Sequence, residues 1–212
     1  MSSKWDKDRV ARARELYGDP REMRGAQSQL CKDVAQLIEG KSVSDFGSGL
    51  GHIIPHLPKS IEYFGFDSSP GMVEAAAALF PERKFEIMDL ASPTVKLSKT
   101  DTALAVNLFS HLTHDDMLIV LSNMMRIAKT IIFSMETLND SEIIRQDGTR
   151  VRNQKAESIL TDLVSVGFKD VEWQHQSLTY QFTQTIFMTR DNPLQTDQSM
   201  IARTTIFKVR IP

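Results

Sequence analysis

The sequence predicts an α/β fold, a largely parallel sheet with helices on both faces, on three observations. Short, near-continuous apolar runs alternate with helical segments from about residue 41 onward, the pattern of strands buried on both faces. A glycine-rich turn, DFGSGLG from Asp45 to Gly51, directly follows the first of those runs. The last strand-like runs lie too close together for intervening helices, so they are expected to pair antiparallel at one edge.

Taken in order, residues 1–40 read as polar and helical, with breaks at Gly18, Pro20 and Gly25. In SQLCKDVAQLIEG, Leu30, Val34 and Leu37–Ile38 recur at helical spacing, and Gly40 is placed to stop the helix. KSVSDFG reads as the first strand, and HIIPHL as the start of a first crossover helix carrying His52 and His56. IEYFGFD is the second strand. Ser69-Pro70 opens the helix PGMVEAAAALF, because proline is tolerated in a first turn. KFEIMDL and DTALAVNLF read as strands three and four. The helix THDDMLIVLSNMMRIAK begins with Thr113 and Asp116, a capping-box-like pair. TIIFSME is the fifth strand, and QKAESILTDLVSVGF an amphipathic helix stopped at Gly167. DVEWQHQ, TQTIFMTR and TTIFKVRI are the final strands, with 191–200 a polar loop and the tail an edge strand guarded by basic residues.

Bulk properties narrow the class. A chain of 212 residues, 41% hydrophobic and 25% charged, is expected to form one compact domain with a sizeable core. Within it, residues 1–40 would be a helical lid or cap, 41–190 the core, and 191–212 a C-terminal loop and edge strand. Net charge is −2 and the sequence pI about 6.2, which gives no strong electrostatic attraction to nucleic acid or membrane lipid. The single cysteine, Cys31, leaves no internal disulfide and no Cys-rich metal cluster, and it reads as a small apolar helix residue. Charges in the first eighteen residues interrupt any signal-peptide core, and no apolar run reaches the ~18 residues of a membrane span. A soluble, cytoplasmic protein is expected.

In an open parallel sheet, ligands bind beyond the carboxyl ends of the strands, so the first glycine loop is the place to look. Gly47, Gly49 and Gly51 remove side chains where the backbone must turn and approach a ligand closely. A dinucleotide site needs G-x-G-x-x-G, and its third glycine position is His52 here. The pattern is instead D-x-G-x-G-x-G, with Asp45 ahead of the glycines.

Here the chain resembles the class I S-adenosylmethionine (SAM)-dependent methyltransferases of small-molecule type, over about residues 28–190. The resemblance implies a Rossmann-like doubly wound, mostly parallel seven-stranded sheet with antiparallel edge strands and helices on both faces. VSDFGSGLG resembles the family's first motif, which implies that Asp45, Gly47, Ser48, Gly49 and Gly51 border the methionine part and ribose of SAM. FGFDSSPGMVEAA resembles the second, where Asp67 would hold both ribose hydroxyls and Ser68 and Met72 would lie against adenine. A carboxylate suits that role because it is acceptor-only and takes two hydroxyl hydrogens at once. EIMDLAS is similar to the third, with Asp89 accepting from the adenine amino group beside the Leu90 backbone. AVNLFSHLTHDD resembles the fourth, with Asn107 and Leu108 near the sulfonium and His111 at the mouth of the substrate pocket. LVSVGFKDVEW matches the family's approach to its sixth strand.

Methyl transfer from a sulfonium is an in-line displacement, helped mainly by alignment and exclusion of water. A general base matters when the acceptor is a hydroxyl or a protonated amine, and His111 is the candidate, since imidazole titrates near neutrality. His114, in the first turn of the next helix, reads as solvated, and His52 and His56 as structural. No histidine spacing points to a metal site, and none is expected. Asn107-Leu108-Phe109-Ser110 lacks the Asn/Asp-Pro-Pro-aromatic signature of methylation at base amino groups, which together with the acidic balance argues against DNA. Arg24 could reach the SAM carboxylate. Arg145, Arg150, Arg152 and Lys155, after strand five, would suit an anionic small-molecule acceptor through bidentate contacts. The expected activity is SAM-dependent methyl transfer to an O or N of a small molecule, yielding S-adenosylhomocysteine (SAH). A non-catalytic SAM-binding subunit, an RNA or protein methyltransferase, and a nicotinamide-dependent oxidoreductase are the competing readings.

Overall fold

A computed structural model describes residues 4–136, 141–144, 150–153, 156–167, 173–182 and 200–211. Two helices, α1 (Lys4–Tyr17) and α2 (Gly25–Leu37), precede the sheet. The chain then runs through β1 (Ser42–Phe46), β2 (Glu62–Asp67), α3 (Pro70–Leu79), β3 (Lys84–Ile87), β4 (Thr100–Ala105), α4 (His114–Ile127) and β5 (Ala128–Glu136). A short hairpin of β6 (Ser141–Ile144) and β7 (Arg150–Asn153) follows, then α5 (Ala156–Ser165), β8 (Trp173–Phe182) and β9 (Met200–Arg210).

Among the described residues the main sheet has seven strands in the order β3-β2-β1-β4-β5-β9-β8. Strands β1 to β5 are mutually parallel, whereas β9 pairs antiparallel with both β5 and β8. This is the doubly wound, mostly parallel architecture expected from the alternation of strands and helices. The strand order reverses between β1 and β4, and that switch point opens a crevice at their carboxyl ends.

Each sheet face carries its own core. On one face, Phe46, Ala103, Ala105, Ile131 and Phe133 pack with Met117, Leu121 and Met124 of α4 and Ile159 and Leu163 of α5. On the other, Val43, Tyr63, Leu104 and Ile132 pack with Leu30, Cys31 and Val34 of α2 and with Ile53 and Ile54 of the first crossover. Because successive side chains alternate between faces and both faces are covered, β1 and β4 are buried almost throughout. The edge strand β3 has Lys84 and Glu86 exposed. Local signals act as the sequence implies. Ser69 caps α3, its hydroxyl accepting from the Met72 amide, and Thr113 caps α4 by accepting from the Asp116 amide at 3.1 Å.

The first crossover departs from expectation. HIIPHL forms no α-helix; turns and one 3-10 turn, Ile54–His56, carry the chain from β1 to β2. Pro55 lacks an amide hydrogen and stands inside that turn, so it can neither donate nor extend a helix. The tail also departs from expectation, because β9 lies inside the sheet and β8 takes the edge. Strand β8 begins at Trp173 and runs on through SLTYQF, while TQTIFMTR and the 191–199 loop lie outside the described residues.

Candidate active site

The site grows from the carboxyl end of β1. Asp45, the penultimate residue of that strand, is buried and accepts from the Tyr63 hydroxyl at 2.6 Å. Burial pushes its carboxyl up to about 7; the Tyr63 bond opposes that shift and the charge of Asp67 reinforces it. Tyr63 is in turn raised well above the ordinary tyrosine value, chiefly by burial.

Beyond Phe46 the chain folds back on itself. The Gly47 and Ser48 amides donate to the Phe66 carbonyl at 2.8 and 3.0 Å, and the Gly51 amide to the Ser48 carbonyl at 2.9 Å. Gly47, Gly49 and Gly51 have φ of 72°, 52° and 79°, a left-handed run that only glycine adopts cheaply. A β-carbon at Gly47 would stand 2.7 Å from Leu108, whereas one at Gly49 would meet nothing within 4 Å. The loop is therefore packed on one side and open on the other.

Asp67 ends β2 beside this loop. Its two oxygens accept from the Gly49 amide at 3.0 Å and the Ser69 amide at 2.9 Å, which ties the loop to the start of α3. Ser68 is exposed next to it. Asp89 is also exposed, and it accepts from the Ala91 amide at 3.1 Å, capping the next turn. Leu90 is buried, its carbonyl accepting from the Asn123 side chain of α4 at 2.8 Å.

At the end of β4, Asn107 has φ of 56°, the one non-glycine residue with positive φ among the described residues. Its conformation is held from two sides. Its amide donates to Ser134 Oγ at 3.0 Å, Ser134 Oγ donates to Asn107 Oδ1 at 3.1 Å, and Asn107 Nδ2 donates to Gln27 Oε1 at 3.1 Å. Strained backbone that surrounding bonds over-determine is characteristic of functional sites. A 3-10 turn, Phe109–His111, follows and leaves His111 exposed at the crevice, with β7 packed beside it.

A cavity of about 170 Å³ occupies this crevice. Its floor takes in Asp45, Gly47, Ser48 and Gly49, with Met72, Asn107 and His111 at its sides. Of the other expected residues, Gly51 packs behind the loop against Ile54 and Phe80, and Leu108 covers Gly47. Asp67, Ser68, Asp89 and Leu90 lie outside the cavity lining, at the ends of β2 and β3.

The roof comes from helices α1 and α2, within the segment 1–40 expected to form a helical lid or cap. Arg9, Ala13 and Tyr17 of α1 and Gln27 and Cys31 of α2 line the cavity, whereas Arg24 is exposed at the start of α2 and does not. Residues 9, 13 and 17 share the four-residue spacing of one helical face, as do 27 and 31, and that spacing was the available signal. His52 joins the roof to the loop: its Nε2 lies 3.4 Å from the Gly18 carbonyl, and its ring meets Tyr17 edge-on at 5.7 Å. Burial lowers the His52 pKa and pushes the Cys31 thiol up to about 12, which fits a structural histidine and an inert cysteine. Among the described residues no His/Cys/Asp/Glu group could hold a metal ion, and no helix is long and apolar enough to cross a membrane. Arg145 and Lys155 lie outside the described residues; Arg150 and Arg152 fall on β7, beside the turn that carries His111.

Residues 44–130 match the family model described as a methyltransferase domain. No curated protein matches the sequence. Among solved structures, magnesium protoporphyrin IX methyltransferase from Synechocystis PCC 6803, with bound SAM, is similar at 20% identity and a TM-score of 0.66, over 98% of this chain and 93% of that one. Human N-acetylserotonin methyltransferase, in complex with SAM, is similar at 14% identity and a TM-score of 0.64, over 97% of this chain and 56% of that one. The pyocyanin biosynthetic protein PhzM is similar at 16% identity and a TM-score of 0.59, over 85% of this chain and 54% of that one. The strand order, the glycine loop after β1 and these likenesses agree on the fold: the chain has the class I SAM-dependent methyltransferase fold, and residues 44–130 of it resemble a methyltransferase domain.

Proposed function

We propose that this protein transfers a methyl group from SAM to an oxygen or nitrogen of a small-molecule acceptor. One observation carries the reading: a cavity lined on one side by α1 and α2 takes in the glycine loop, Met72, Asn107 and His111. Cofactor loop and acceptor mouth thus share one cavity. Similar chains hold SAM or SAH and include methyltransferases named for magnesium protoporphyrin IX and N-acetylserotonin, which supports both the cofactor and the acceptor class.

Bound SAM would supply an electrophilic methyl group on a sulfonium. The residues present fit its shape. Asp67 accepts through both oxygens, so it can hold the Gly49 amide and still face ribose hydroxyls. Ser68, Met72, Asp89 and the Leu90 backbone would border adenine at the ends of β2 and β3. Asp45, Gly47, Ser48, Gly49, Asn107 and Leu108 would surround the methionine part, with Gly51 shaping the turn from behind. His111, at the rim, would accept a proton from the acceptor as it attacks. The residues of α1 and α2 that line the cavity would limit the access of water to the reacting atoms. An anionic acceptor would suit the basic residues around β7, at the His111 end.

Titration calorimetry with SAM, SAH and NADH tests the cofactor assignment. Micromolar binding of either sulfur compound, without NADH binding, is expected; binding of neither would overturn it. A screen of small phenols, amines and carboxylates with mass-spectrometric detection then tests catalysis, with RNA and protein as alternative acceptors. His111→Ala is expected to lower turnover by about 10²–10⁴-fold at unchanged SAM affinity.

A further inference from the structure

We propose that Asn123 of α4 is a positioning residue: by orienting the Leu90–Ala91 peptide it aims the Asp89 carboxylate, and so sets the preference for adenine over a purine without the amino group. The proposal rests on the reading of Asp89 as the partner of the donor's adenine. Asn123 itself stands in the middle of a helix and does not line the cavity.

Asn123 is 2% exposed, and its amide is engaged on both sides. Its Nδ2 donates to the Leu90 carbonyl at 2.8 Å and to the Ser92 carbonyl at 3.0 Å. Its Oδ1 accepts from Arg126 Nη2 at 2.7 Å, and the same nitrogen donates to the Val95 carbonyl at 2.9 Å. Two carbonyls on one side and a guanidinium on the other allow one orientation of the amide. A buried polar group satisfied in this way specifies the arrangement of the chain around it. What it fixes here is a peptide plane. The Leu90 carbonyl and the Ala91 amide belong to one planar trans unit, so they point in opposite directions. Asn123 holds the carbonyl, and the amide donates to Asp89 Oδ1 at 3.1 Å. Asn123 and Asp89 thus grip opposite edges of the same peptide. With Oδ1 engaged, Oδ2 is the oxygen left for a ligand, and Asp89 is exposed. At the other end of the segment, the Met88 amide donates to the Asp67 carbonyl at 2.9 Å. The chain carrying Asp89 is therefore tied on one side to the proposed ribose contact and on the other to α4.

An aimed carboxylate discriminates because it only accepts. Adenine offers it the hydrogens of the 6-amino group. Hypoxanthine has a carbonyl oxygen at that position, and two acceptors set face to face repel. The probe pair is SAH and S-inosylhomocysteine, which differ only at that purine edge. Wild-type protein is expected to bind SAH at least about tenfold more tightly than the inosine compound. Asn123→Ala, which frees the Leu90–Ala91 peptide, is expected to bring the two affinities to within about twofold of each other. Asp89→Ala is expected to do the same. The double variant should then match Asp89→Ala rather than show the product of the two losses, because Asn123 acts through Asp89. Arg126→Met, a change at an exposed position, loosens the same amide and should lower the preference part of the way.

Calorimetric titration of the folded proteins reads these ratios. A folded Asn123→Ala that weakens both ligands equally, or neither, would overturn the proposal and leave Asn123 a tie between α4 and the loop. If Asn123→Ala does not fold, an unchanged preference in Arg126→Met overturns it instead. Losses that multiply in the double variant would overturn the route through Asp89. Wild-type protein that binds the two compounds equally would overturn the proposal while leaving the donor assignment standing. Wild-type protein that binds neither would remove both.

Discussion

The hydroxyl of Tyr63 donates to the buried carboxyl of Asp45 across 2.6 Å, joining β2 to β1 just before the glycine loop. Burial and the nearby Asp67 charge hold Asp45 at about 7, against the pull of the Tyr63 bond. An unfolded aspartate titrates at about 3.9. Between those values the folded chain binds more protons than the unfolded chain, so this group makes stability fall as pH rises through that window. The Asp45→Asn variant lacks the titration. From about pH 5 to about pH 7, the wild type should therefore lose stability relative to the variant, by up to about 1.4 kcal/mol per pH unit. Urea unfolding of both proteins at both pH values reads the difference. Parallel profiles would mean that Asp45 is already ionised in the folded chain.

Asp67 serves the loop as well as the proposed ribose contact. Asp67→Ala removes the acceptor for the Gly49 and Ser69 amides and the charge that would take the hydroxyl hydrogens. SAM affinity should fall by about 1.5–3 kcal/mol, or roughly 10- to 100-fold. Asp67→Asn keeps one acceptor oxygen and should fall between the wild type and Ala. Calorimetric titration of the three proteins checks the order, and wild-type affinity in Asp67→Ala would remove this residue from the site.

The loop glycines should differ in cost although all have positive φ. At Gly49 an alanine meets no neighbour, so the cost is the left-handed backbone alone, about 1–2 kcal/mol. At Gly47 the same backbone cost is joined by a 2.7 Å approach to the Leu108 Cδ1 atom. Gly47→Ala should therefore be the more destabilised of the two in urea unfolding. Equal losses would show that Leu108 moves aside freely.

These contrasts mark what the sequence carries and what it does not. Strands β1, β4 and β5 were legible because burial on both faces writes a near-continuous apolar run. The caps at Ser69 and Thr113 were legible because a hydroxyl three residues ahead of an amide is a local device. The contacts that tie the lid of residues 1–40 to the sheet were not. Gln27 meets Asn107 across eighty positions of sequence, and no local pattern records that meeting. HIIPHL misled because apolar spacing alone does not separate a helix from a turn that buries Ile53, Ile54 and Leu57. The expected edge strand at the tail misled for a related reason: a basic residue in a strand reads as solvated unless its partner is known.

That partner is Glu39, in the linker between α2 and β1. Lys208 Nζ donates to Glu39 Oε1 at 2.7 Å, and Glu39 Oε2 accepts from Thr130 Oγ1 at 2.8 Å. The lysine side chain is 8% exposed and the glutamate 38%, so the two ends of the pair are unequally desolvated. Removing the lysine leaves a carboxylate that reaches water and keeps its Thr130 bond. Removing the glutamate leaves an ammonium buried inside the sheet, where an uncompensated charge is costly. Lys208→Met should therefore cost about 1–2 kcal/mol, above an exposed pair but below the roughly 3–5 kcal/mol of breaking a fully buried one. Glu39→Ala should cost more than Lys208→Met, and the double variant less than the sum of the two. Urea unfolding of the three proteins measures the order. If Lys208→Met proved the more costly single change, the unpaired ammonium would not be the dominant penalty, and the unequal desolvation of the pair would not set the order.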